Sequence, residues 1–592
     1  MTAQPALHPF SGEQWRQVNA LLETLDTRQA LWLSGYLAAQ GNPLPVAEPT
    51  SNKSLVIAWG TETGNSKRLA LELAARCRDA GLAIETRDLA DLRPRQLAKF
   101  ENLAVIVATH GDGEPPVPIQ PLYDALMAES APRLERLSFA ILALGDSSFE
   151  HYCVTGKQLD QRLEQLGGQR LLPRQDCDVD FETPARDWIG RFVDTVATSS
   201  PPPAIGATPM IDPAAIAIAT AIEYSKDRPL SVEVLSNQRF SAADRRDAIH
   251  HLELALDADD FPCRPGDAVG IFPLNPPVLV TAVLTAGGLT GAEPVIVDGH
   301  TMPLLQALRE QRDLTIPGAR FLAVWAELTG SEPLAALSQA EVKTQRAFLR
   351  EQQVRPLMER HPARPDAQIL VDCLRPLQPR LYDVANSLST VGDELHLTVQ
   401  AYEYRQGEHT EQGIASQFLC ALNPGDRVRL YPHGNARFHL PDDPDSPLIL
   451  IADGTGIAPY RAFLQALAER DRPPQCWLVF GEQDFEEDFL YQTDIQQFKT
   501  AGVLHTVDCV FYRQASTRAH SQVSTRSLAS PLLDQSDGFI NWIARGAHVF
   551  FCGNKDRLSN CEAILSALVD DELGAGHWKR LNKDKRIHRN VY

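Results

Sequence analysis

The sequence predicts a multidomain α/β protein in which two doubly wound parallel sheets flank an antiparallel β-barrel that carries a helical insertion. Short apolar runs alternate with helical stretches from Leu55 onward and again from Pro447, as is typical of parallel sheets. Between these regions, the alternating run 251–256 and the turn at 264–267 indicate antiparallel strands. The stretch from about 276 to 365 has a helical pattern, so it is predicted as an insertion between barrel strands.

These patterns divide the chain into consecutive segments. The predicted segments are an N-terminal helical segment at 1–52, a first α/β domain at 53–198, a linker at 199–222, a barrel domain at 223–440 and a last α/β domain at 441–592. The linker is rich in Pro and Ala and has little to pack, which indicates a flexible hinge. Within the domains, strands are predicted at 55–59, 103–109, 139–145, 395–399, 427–431, 448–452, 477–480, 504–511 and 548–552.

Composition narrows the function classes. With 44% hydrophobic and 22% charged residues, the 592-residue chain has the composition of a globular protein. The net charge of -20 argues against a nucleic-acid partner, and it leaves open whether the acidic surface serves solubility or attracts a basic protein. Ten cysteines without a C-x-x-C pair indicate neither a metal site nor a disulfide framework. The sequence shows no signal peptide and no membrane span, so a cytoplasmic location is expected.

Three loops follow predicted strands of the first sheet, at the edge where open α/β sheets bind ligands. The first combines hydroxyls with a glycine before a helix, which suits a phosphate. The other two combine glycines with flat side chains, and His110, Phe149 and Tyr152 are candidates to sandwich a planar ring such as a flavin. The candidate FMN-binding residues are Thr61, Glu62, Thr63, Gly64, Asn65 and Ser66, then Ala108, Thr109, His110 and Gly111, then Leu144, Gly145, Asp146, Ser147, Ser148, Phe149, Glu150, His151, Tyr152 and Cys153.

The last sheet offers a glycine loop and a group of cations. Gly454, Thr455 and Gly456 follow a buried strand, although such a short loop is weak support by itself. Arg513 and Arg518 follow a later strand, and their planar donors suit an adenosine 2′-phosphate. The candidate NADP-binding residues are Gly454, Thr455, Gly456, Tyr512, Arg513, Arg518, His520 and Gln522.

Together these motifs resemble the diflavin reductases, most closely the flavoprotein (alpha) subunits of bacterial NADPH-dependent sulfite reductases. The loops resemble the family's flavodoxin-like domain, the run 375–382 resembles its FAD site, and 488–491, 551–553 and the terminal Val591–Tyr592 also match. The likeness runs almost end to end and includes the segment 12–36. It implies an FMN domain, an FAD barrel and a ferredoxin-reductase-like NADP domain. It also implies a homo-oligomer, often an octamer, and a sirohaem and iron–sulfur partner subunit that reduces sulfite to sulfide.

The resemblance also assigns the FAD site and the hydride-transfer residues. It places Arg380 at the FAD pyrophosphate, Tyr382 against the flavin and Tyr592 over the ring where the nicotinamide arrives. The FAD-binding candidates are Arg380, Leu381, Tyr382, Asp383, Thr398, Val399, Gln400, Tyr404, Gly413, Ile414, Ala415, Ser416 and Tyr592. The catalytic candidates are Asp383, Cys552, Asn590 and Tyr592.

The sequence departs from the family at several of these positions. Asp383 replaces a serine beside the flavin, and Asn590 replaces an aspartate near the C-terminus. Our hypothesis is that one carboxylate has moved across the site, so that Asp383 supplies the charge the C-terminal aspartate normally gives. Phe149 stands for a tyrosine and His110 for a glutamine. In the nucleotide site, the replacements are Tyr512 for a serine, Arg518 for a lysine and His520 for a tyrosine.

Two alternatives remain open at this point. One is a diflavin reductase that serves another haem protein, against which the N-terminal segment argues. The other is a flavin-bearing scaffold with impaired hydride transfer, which the changes at Asp383 and Asn590 suggest.

We predict that NADPH is preferred over NADH, because Arg513 and Arg518 retain two cations for the 2′-phosphate. Steady-state kcat/KM with each nucleotide checks this prediction. Equal efficiency with NADH would contradict it.

Overall fold

The computed structural model describes residues 55–61, 64–110, 113–147, 151–199, 224–242, 245, 247–256, 261–406, 409–435, 437–514, 522–523 and 526–592. They all belong to one compact unit, Leu55–Tyr592. The predicted N-terminal helical segment lies outside the described residues, and so does the predicted linker, apart from its first residue, Ser199. No helix within the described parts of the chain is long and apolar enough to cross a membrane.

The first sheet is parallel and has the predicted doubly wound order. Its strands are β1 (Leu55–Gly60), β2 (Ile84–Asp88), β3 (Asn102–Ala108), β4 (Ser138–Leu144), β5 (Gln169–Arg170) and β6 (Gln175–Cys177). Its helices are α1 (Asn65–Asp79), α2 (Pro94–Leu97), α3 (Gln120–Met127), α4 (Val154–Gln165) and α5 (Glu182–Ser199). The strand order is β2-β1-β3-β4-β5, with β6 also paired to β4. Every residue of β1 is buried, as expected for a strand covered by helices on both faces.

The middle of the chain holds the barrel and its insertion. The strands are β7 (Leu230–Arg239), β8 (Ile249–Ala255), β9 (Ala268–Phe272), β10 (Pro294–Val297), β11 (His300–Pro303), β12 (Arg380–Asp383), β13 (Glu394–Gln400), β14 (Glu403–Gln406), β15 (His409–Gln412) and β16 (Arg427–His433). The helices are α6 (Pro277–Gly287), α7 (Leu304–Glu310), α8 (Ala319–Thr329), α9 (Glu332–Ser338), α10 (Val342–Arg350), α11 (Val354–Arg360), α12 (Ala367–Cys373), α13 (Leu388–Val391) and α14 (Ile414–Cys420).

Six of these strands form the antiparallel barrel sheet, in the order β12-β9-β16-β7-β8-β13. An antiparallel bridge between Val384 and Leu397 brings the two ends of this order together. The insertion between β9 and β12 is mainly helical, as predicted, and packs its own core around Trp325 and Phe321. The hairpin β10–β11 inside the insertion was not predicted.

The last sheet is parallel and carries the chain's C-terminus. Its strands are β17 (Leu448–Asp453), β18 (Cys476–Glu482), β19 (Thr506–Phe511), β22 (His548–Gly553) and β23 (Ile587–Val591), and β20 (Arg513–Gln514) pairs with β21 (Gln522–Val523) in a separate hairpin. Its helices are α15 (Ala458–Ala468), α16 (Gln492–Thr500), α17 (Ser530–Asp534), α18 (Ser536–Ala544), α19 (Lys555–Leu573) and α20 (His577–Lys583). The order β19-β18-β17-β22-β23 puts the terminal strand beside β22, which places the last residues at the carboxyl edge.

Candidate functional site

The first predicted phosphate loop leads from β1 into α1. Gly64 has a φ of 85° and precedes the helix, and its N–H donates to Thr61 Oγ1 at 2.9 Å. Ser66 is fully buried, and its Oγ finds no hydrogen-bond partner among the described residues. A buried hydroxyl left unpaired costs about 1–3 kcal/mol. An oxygen of a bound phosphate would pair it, so the residues present fit the predicted FMN phosphate.

The second and third loops meet at the same edge of the sheet. Thr109 N donates to Leu144 O at 2.9 Å, and Thr109 Oγ1 accepts from Thr155 N at 3.3 Å. A Cβ on Gly113 would lie 2.5 Å from the Cβ of His151, so only glycine lets the two loops pack this closely. The three loops therefore form one cradle.

The outcome for the predicted flavin sandwich is mixed. His110 and His151 are exposed at the loops. Tyr152 is buried, with the Arg346 guanidinium 4.0 Å and the Lys157 ammonium 5.1 Å from its ring centroid. Two cations therefore contact the Tyr152 ring, and its place in an aromatic sandwich stays a prediction. Outside the described residues lie Glu62, Thr63, Gly111, Ser148, Phe149 and Glu150.

Other predicted FMN residues fix the third loop of the cradle to the end of β6 and the residues that follow it. Gly145 N donates to Cys177 O at 3.0 Å, and Ser147 N donates to Asp178 Oδ1 at 2.9 Å. Cys153 is fully buried with a φ of 52° and precedes α4. The remaining predicted residues at this edge are Ala108 at the end of β3 and Asn65 at the start of α1.

The predicted FAD strand is β12, which pairs with β9 at the barrel surface. Arg380 and Leu381 are exposed, whereas Tyr382 and Asp383 are half-buried. Burial raises the pKa of Tyr382, so this phenol stays neutral. The strand thus presents a cation, an aromatic ring and a carboxyl group at the predicted FAD site.

The predicted FAD-binding loop at 413–416 is built around Tyr402, a residue that was not predicted. Tyr402 O accepts from Gly413 N at 2.8 Å, and Tyr402 N donates to Ser416 Oγ at 3.0 Å. The Tyr402 ring is 63% exposed and stacks on Tyr404, with 6.0 Å between centroids and 19° between planes. An exposed aromatic pair beside this loop is a candidate platform for a planar ring. Ile414 and Ala415 continue the loop into α14.

Part of the FAD prediction is not supported. Val399 is fully buried in the barrel core, and the Thr398 hydroxyl is buried and lies 2.6 Å from the Tyr491 hydroxyl. Gln400 donates to Asp247 Oδ2 at 2.7 Å. Thr398 therefore contacts the last domain, whereas Val399 packs in the barrel core and Gln400 bonds to a loop of the barrel.

The predicted catalytic residues do come together. Asn590 Nδ2 donates to Asp383 Oδ1 at 2.8 Å, and Cys552 Sγ lies 3.7 Å from Asp383 Oδ2. Cys552 and Asn590 are direct partners across β22 and β23. Burial raises the pKa of Asp383 to about 6, although the bonds from Asn590 and Cys552 oppose this. Burial also raises the pKa of Cys552 well above its usual value, so this residue is a thiol.

The C-terminal tyrosine lies beside the glycine loop. The Tyr592 hydroxyl is 2.9 Å from Thr455 Oγ1, and Tyr592 N donates to Gly553 O at 3.0 Å. Its side chain is 59% exposed. A Cβ on Gly456 would lie 2.0 Å from Cys552 O, so the loop needs glycine to approach β22. The tyrosine thereby joins the predicted nucleotide loop to the predicted hydride-transfer residues.

The nucleotide edge contains a cluster that was only partly predicted. Tyr512 Oη donates to Asp453 Oδ1 at 2.6 Å, and Arg557 Nη1 lies 3.1 Å from Asp453 Oδ2. Asp453 and Arg557 were missed, although Asp453 directly precedes the glycine loop. Arg513 is exposed and Gln522 lies on β21, whereas Arg518 and His520 lie outside the described residues.

Ion pairs join the FMN cradle to the barrel region. Arg375, five residues before β12, has a side chain only 8% exposed, and its guanidinium pairs with Asp146 and lies 3.9 Å from Asp178 Oδ1. Two more cations contact the second loop: Lys555 pairs with Glu114, and Arg437 donates to Pro118 O. These contacts hold the cradle against the barrel and the last sheet.

Two histidines and a glutamate where the barrel meets the last domain have the composition of a metal site, but a neighbouring arginine makes their surroundings unfavourable for a cation. His251, Glu253 and His396 have ligand atoms within 4.8 Å of one another. Arg461 Nη1 lies 3.3 Å from His396 Nδ1, so this nitrogen is an acceptor facing a permanent cation. The group is better suited to packing the barrel against the last sheet.

This combination of a three-loop phosphate cradle, a barrel edge and a glycine-loop sheet defines a diflavin reductase. Family models match in the same order: flavodoxin at 57–188, an FAD binding domain at 222–418 and an oxidoreductase NAD-binding domain at 450–561. The chain is 34% identical to the sulfite reductase (NADPH) flavoprotein alpha-component of Bacillus subtilis, over 100% of both chains. It is also 34% identical to that of Shigella dysenteriae, over 99% of both, and to that of Neisseria meningitidis, over 99% of this chain and 98% of the relative.

The chain belongs to the family of sulfite reductase (NADPH) flavoprotein alpha-components. Its cofactors are FMN in the flavodoxin domain, FAD in the FAD-binding domain and NADPH in the last domain. It is an oxidoreductase that transfers electrons from NADPH by way of FAD and FMN.

We predict that Asp383 destabilises the fold as pH rises. Between its ordinary pKa of 3.8 and about 6, the unfolded chain has lost this proton while the folded chain still binds it. Stability therefore falls with rising pH across this window, and the loss is complete above it. The difference in unfolding free energy between Asp383→Asn and the wild type should therefore shift in favour of the variant as pH rises from about 4.5 to about 7.5. Urea midpoints at both pH values measure this, and a pH-independent difference would contradict it.

Proposed function

We propose that this chain is the flavoprotein component of an assimilatory sulfite reductase and delivers electrons to a haem-containing partner. The full-length similarity to relatives of that name supports this acceptor over other haem proteins. By resemblance, the partner carries sirohaem and an iron–sulfur cluster and reduces sulfite to sulfide. Such an acceptor takes electrons one at a time, whereas hydride carries two.

When bound, FAD accepts hydride and FMN releases electrons singly, so the two cofactors bridge this mismatch. The protein binds and orients the two flavins and sets the charge around them. We propose that Arg380, Tyr382 and the loop Gly413–Ser416 hold FAD, and that Thr61, Gly64 and Ser66 hold the FMN phosphate. The buried Ser66 hydroxyl, which has no hydrogen-bond partner in the described part of the chain, supports this assignment.

At the hydride site, the Asp383 carboxyl group is the proposed source of negative charge. It lies on the FAD strand and is bonded to Asn590 of the terminal strand. The nicotinamide ring becomes positive as it gives up hydride, so a nearby carboxylate stabilises that change. Tyr592, exposed and bonded to the glycine loop, is the proposed cover that the nicotinamide displaces.

The ion pair of Arg375 with Asp146 is the proposed device that positions the FMN cradle for electron transfer. Arg375 leads directly into the FAD strand, and Asp146 lies in the third FMN loop. The pairing therefore fixes one cofactor edge relative to the other. We propose that this contact is released when FMN serves the partner, with the 199–222 segment as the tether for that movement.

Further proposals concern the assembly. By resemblance, the segment 1–52 mediates homo-oligomerisation, to an octamer, and contact with the partner. A cytoplasmic location accords with the absence of a membrane-spanning helix among the described residues and with the reduced-cysteine composition.

A carboxylate exchange tests the hydride site. Asp383→Ser should slow flavin reduction by NADPH about 10- to 100-fold, because the charge is lost. Adding Asn590→Asp should restore the rate, because the carboxylate returns to the terminal strand. Anaerobic stopped-flow absorbance measures both. A faster Asp383→Ser variant would show that Asp383 is a lesion and not a replacement.

The acceptor is tested by mixing. The purified chain should support sulfite-dependent NADPH oxidation when a sirohaem-containing subunit from the same source is added, and the two should co-purify. Flavin reduction by NADPH without either result would favour another haem acceptor. Flavins that are bound but stay oxidised would favour a scaffold.

A further inference from the structure

Arg557 lies at the carboxyl edge of the last sheet and has no role in the sites proposed above. Arg557, in the first turn of α19, places Nη1 3.1 Å from Asp453 Oδ2 and 3.3 Å from Asp453 Oδ1. Its guanidinium carbon lies 4.5 Å from the Tyr512 ring centroid. The side chain remains 44% exposed. Arg557 is therefore fixed on two sides and open on a third.

Each of its two contacts is itself held. Burial raises the pKa of Asp453, and the hydrogen bond from Tyr512 and the charge of Arg557 oppose this rise. Tyr512 crosses the end of β18, because a Cβ on Gly481 would lie 2.4 Å from Tyr512 Oη. The cluster consequently spans the carboxyl ends of β17, β18 and β19, where open α/β sheets bind nucleotides.

The free side of the guanidinium suits a phosphate. The group has five N–H donors, and Nη1 is the nitrogen that faces Asp453. No other described residue bonds to Nη2 or Nε, so these donors face outward in a fixed plane, which is the geometry that binds two phosphate oxygens at once. Stacking on Tyr512 and pairing with Asp453 restrict the side chain before the ligand arrives, so little conformational entropy is lost on binding.

The order of strands in the sheet indicates which phosphate Arg557 would bind, the pyrophosphate or the adenosine 2′-phosphate. Arg557 meets the end of β17, next to the loop Gly454–Gly456, whereas the predicted 2′-phosphate residue Arg513 follows β19. Strands are about 4.8 Å apart, so these positions differ by about 10 Å. We propose that Arg557 binds the pyrophosphate of the nicotinamide dinucleotide, and that Asp453 and Tyr512 are the positioning residues that aim it. This inference rests on the proposed placement of the nucleotide at the glycine loop.

The test compares Arg557→Gln with the wild-type full chain in equilibrium titrations. NADP+ affinity should fall about 10- to 100-fold, the loss expected for charge-assisted hydrogen bonds. The affinity for 2′-AMP, which lacks the pyrophosphate, should not change.

Two further variants keep the result interpretable. Arg557→Lys keeps the charge without the fork and should bind NADP+ with intermediate affinity. Arg580→Gln, an equal charge change at an exposed residue of α20, should bind like the wild type. Unchanged NADP+ affinity in Arg557→Gln, an equal loss in Arg580→Gln, or a matching loss of 2′-AMP affinity would overturn the assignment. A wild type that binds no NADP+ would instead refute the proposed function.

Discussion

The buried guanidinium of Arg375 joins the proposed FAD strand to the proposed FMN cradle. Arg375 and its partner Asp146 lie 229 residues apart in sequence. A buried cation is costly unless it is paired, and here the carboxylates of Asp146 and Asp178 face it. Asp146 belongs to the FMN cradle and Asp178 accepts a hydrogen bond from Ser147 of the cradle, whereas Arg375 runs into the FAD strand. The rest of the electron path depends on this pairing, because it sets where the first sheet meets the barrel.

The second constraint is the position of the chain's end. β23 extends the last sheet beside β22, so Asn590 stands next to Cys552 and reaches Asp383 on the barrel. Tyr592 is then carried to the glycine loop. A short polar strand thus brings the barrel, the glycine loop and the terminal tyrosine to one point, which is the proposed hydride-transfer site.

Much of this organisation could be predicted from the sequence. Buried strands such as β1 and β17 have continuous apolar runs, and the loops that follow them have distinctive glycines and hydroxyls. The proximity of Asp383 and Asn590 followed from comparing two departures from one family pattern. β23 was missed because its residues are mostly polar and only half-buried, so no apolar periodicity marks it.

The contacts between domains were beyond such reasoning. Nothing local distinguishes Arg375, Arg346 or Lys555 from solvated cations, since their partners lie in another sheet. Likewise, Thr398 and Val399 match a family motif, yet their side chains face the barrel core and the joint with the last sheet. Long-range packing decides such side chains, and sequence spacing does not report it.

The most direct measurement is anaerobic stopped-flow absorbance of the full chain after one equivalent of NADPH, for the wild type and Arg375→Gln. The account predicts that in the wild type the two electrons of that equivalent reduce FAD in a first phase and are shared with FMN in a second. Arg375→Gln should slow only the second phase, because hydride transfer does not involve the FMN cradle. Flavins that are bound but stay oxidised, or a second phase that is unchanged in Arg375→Gln, would contradict it.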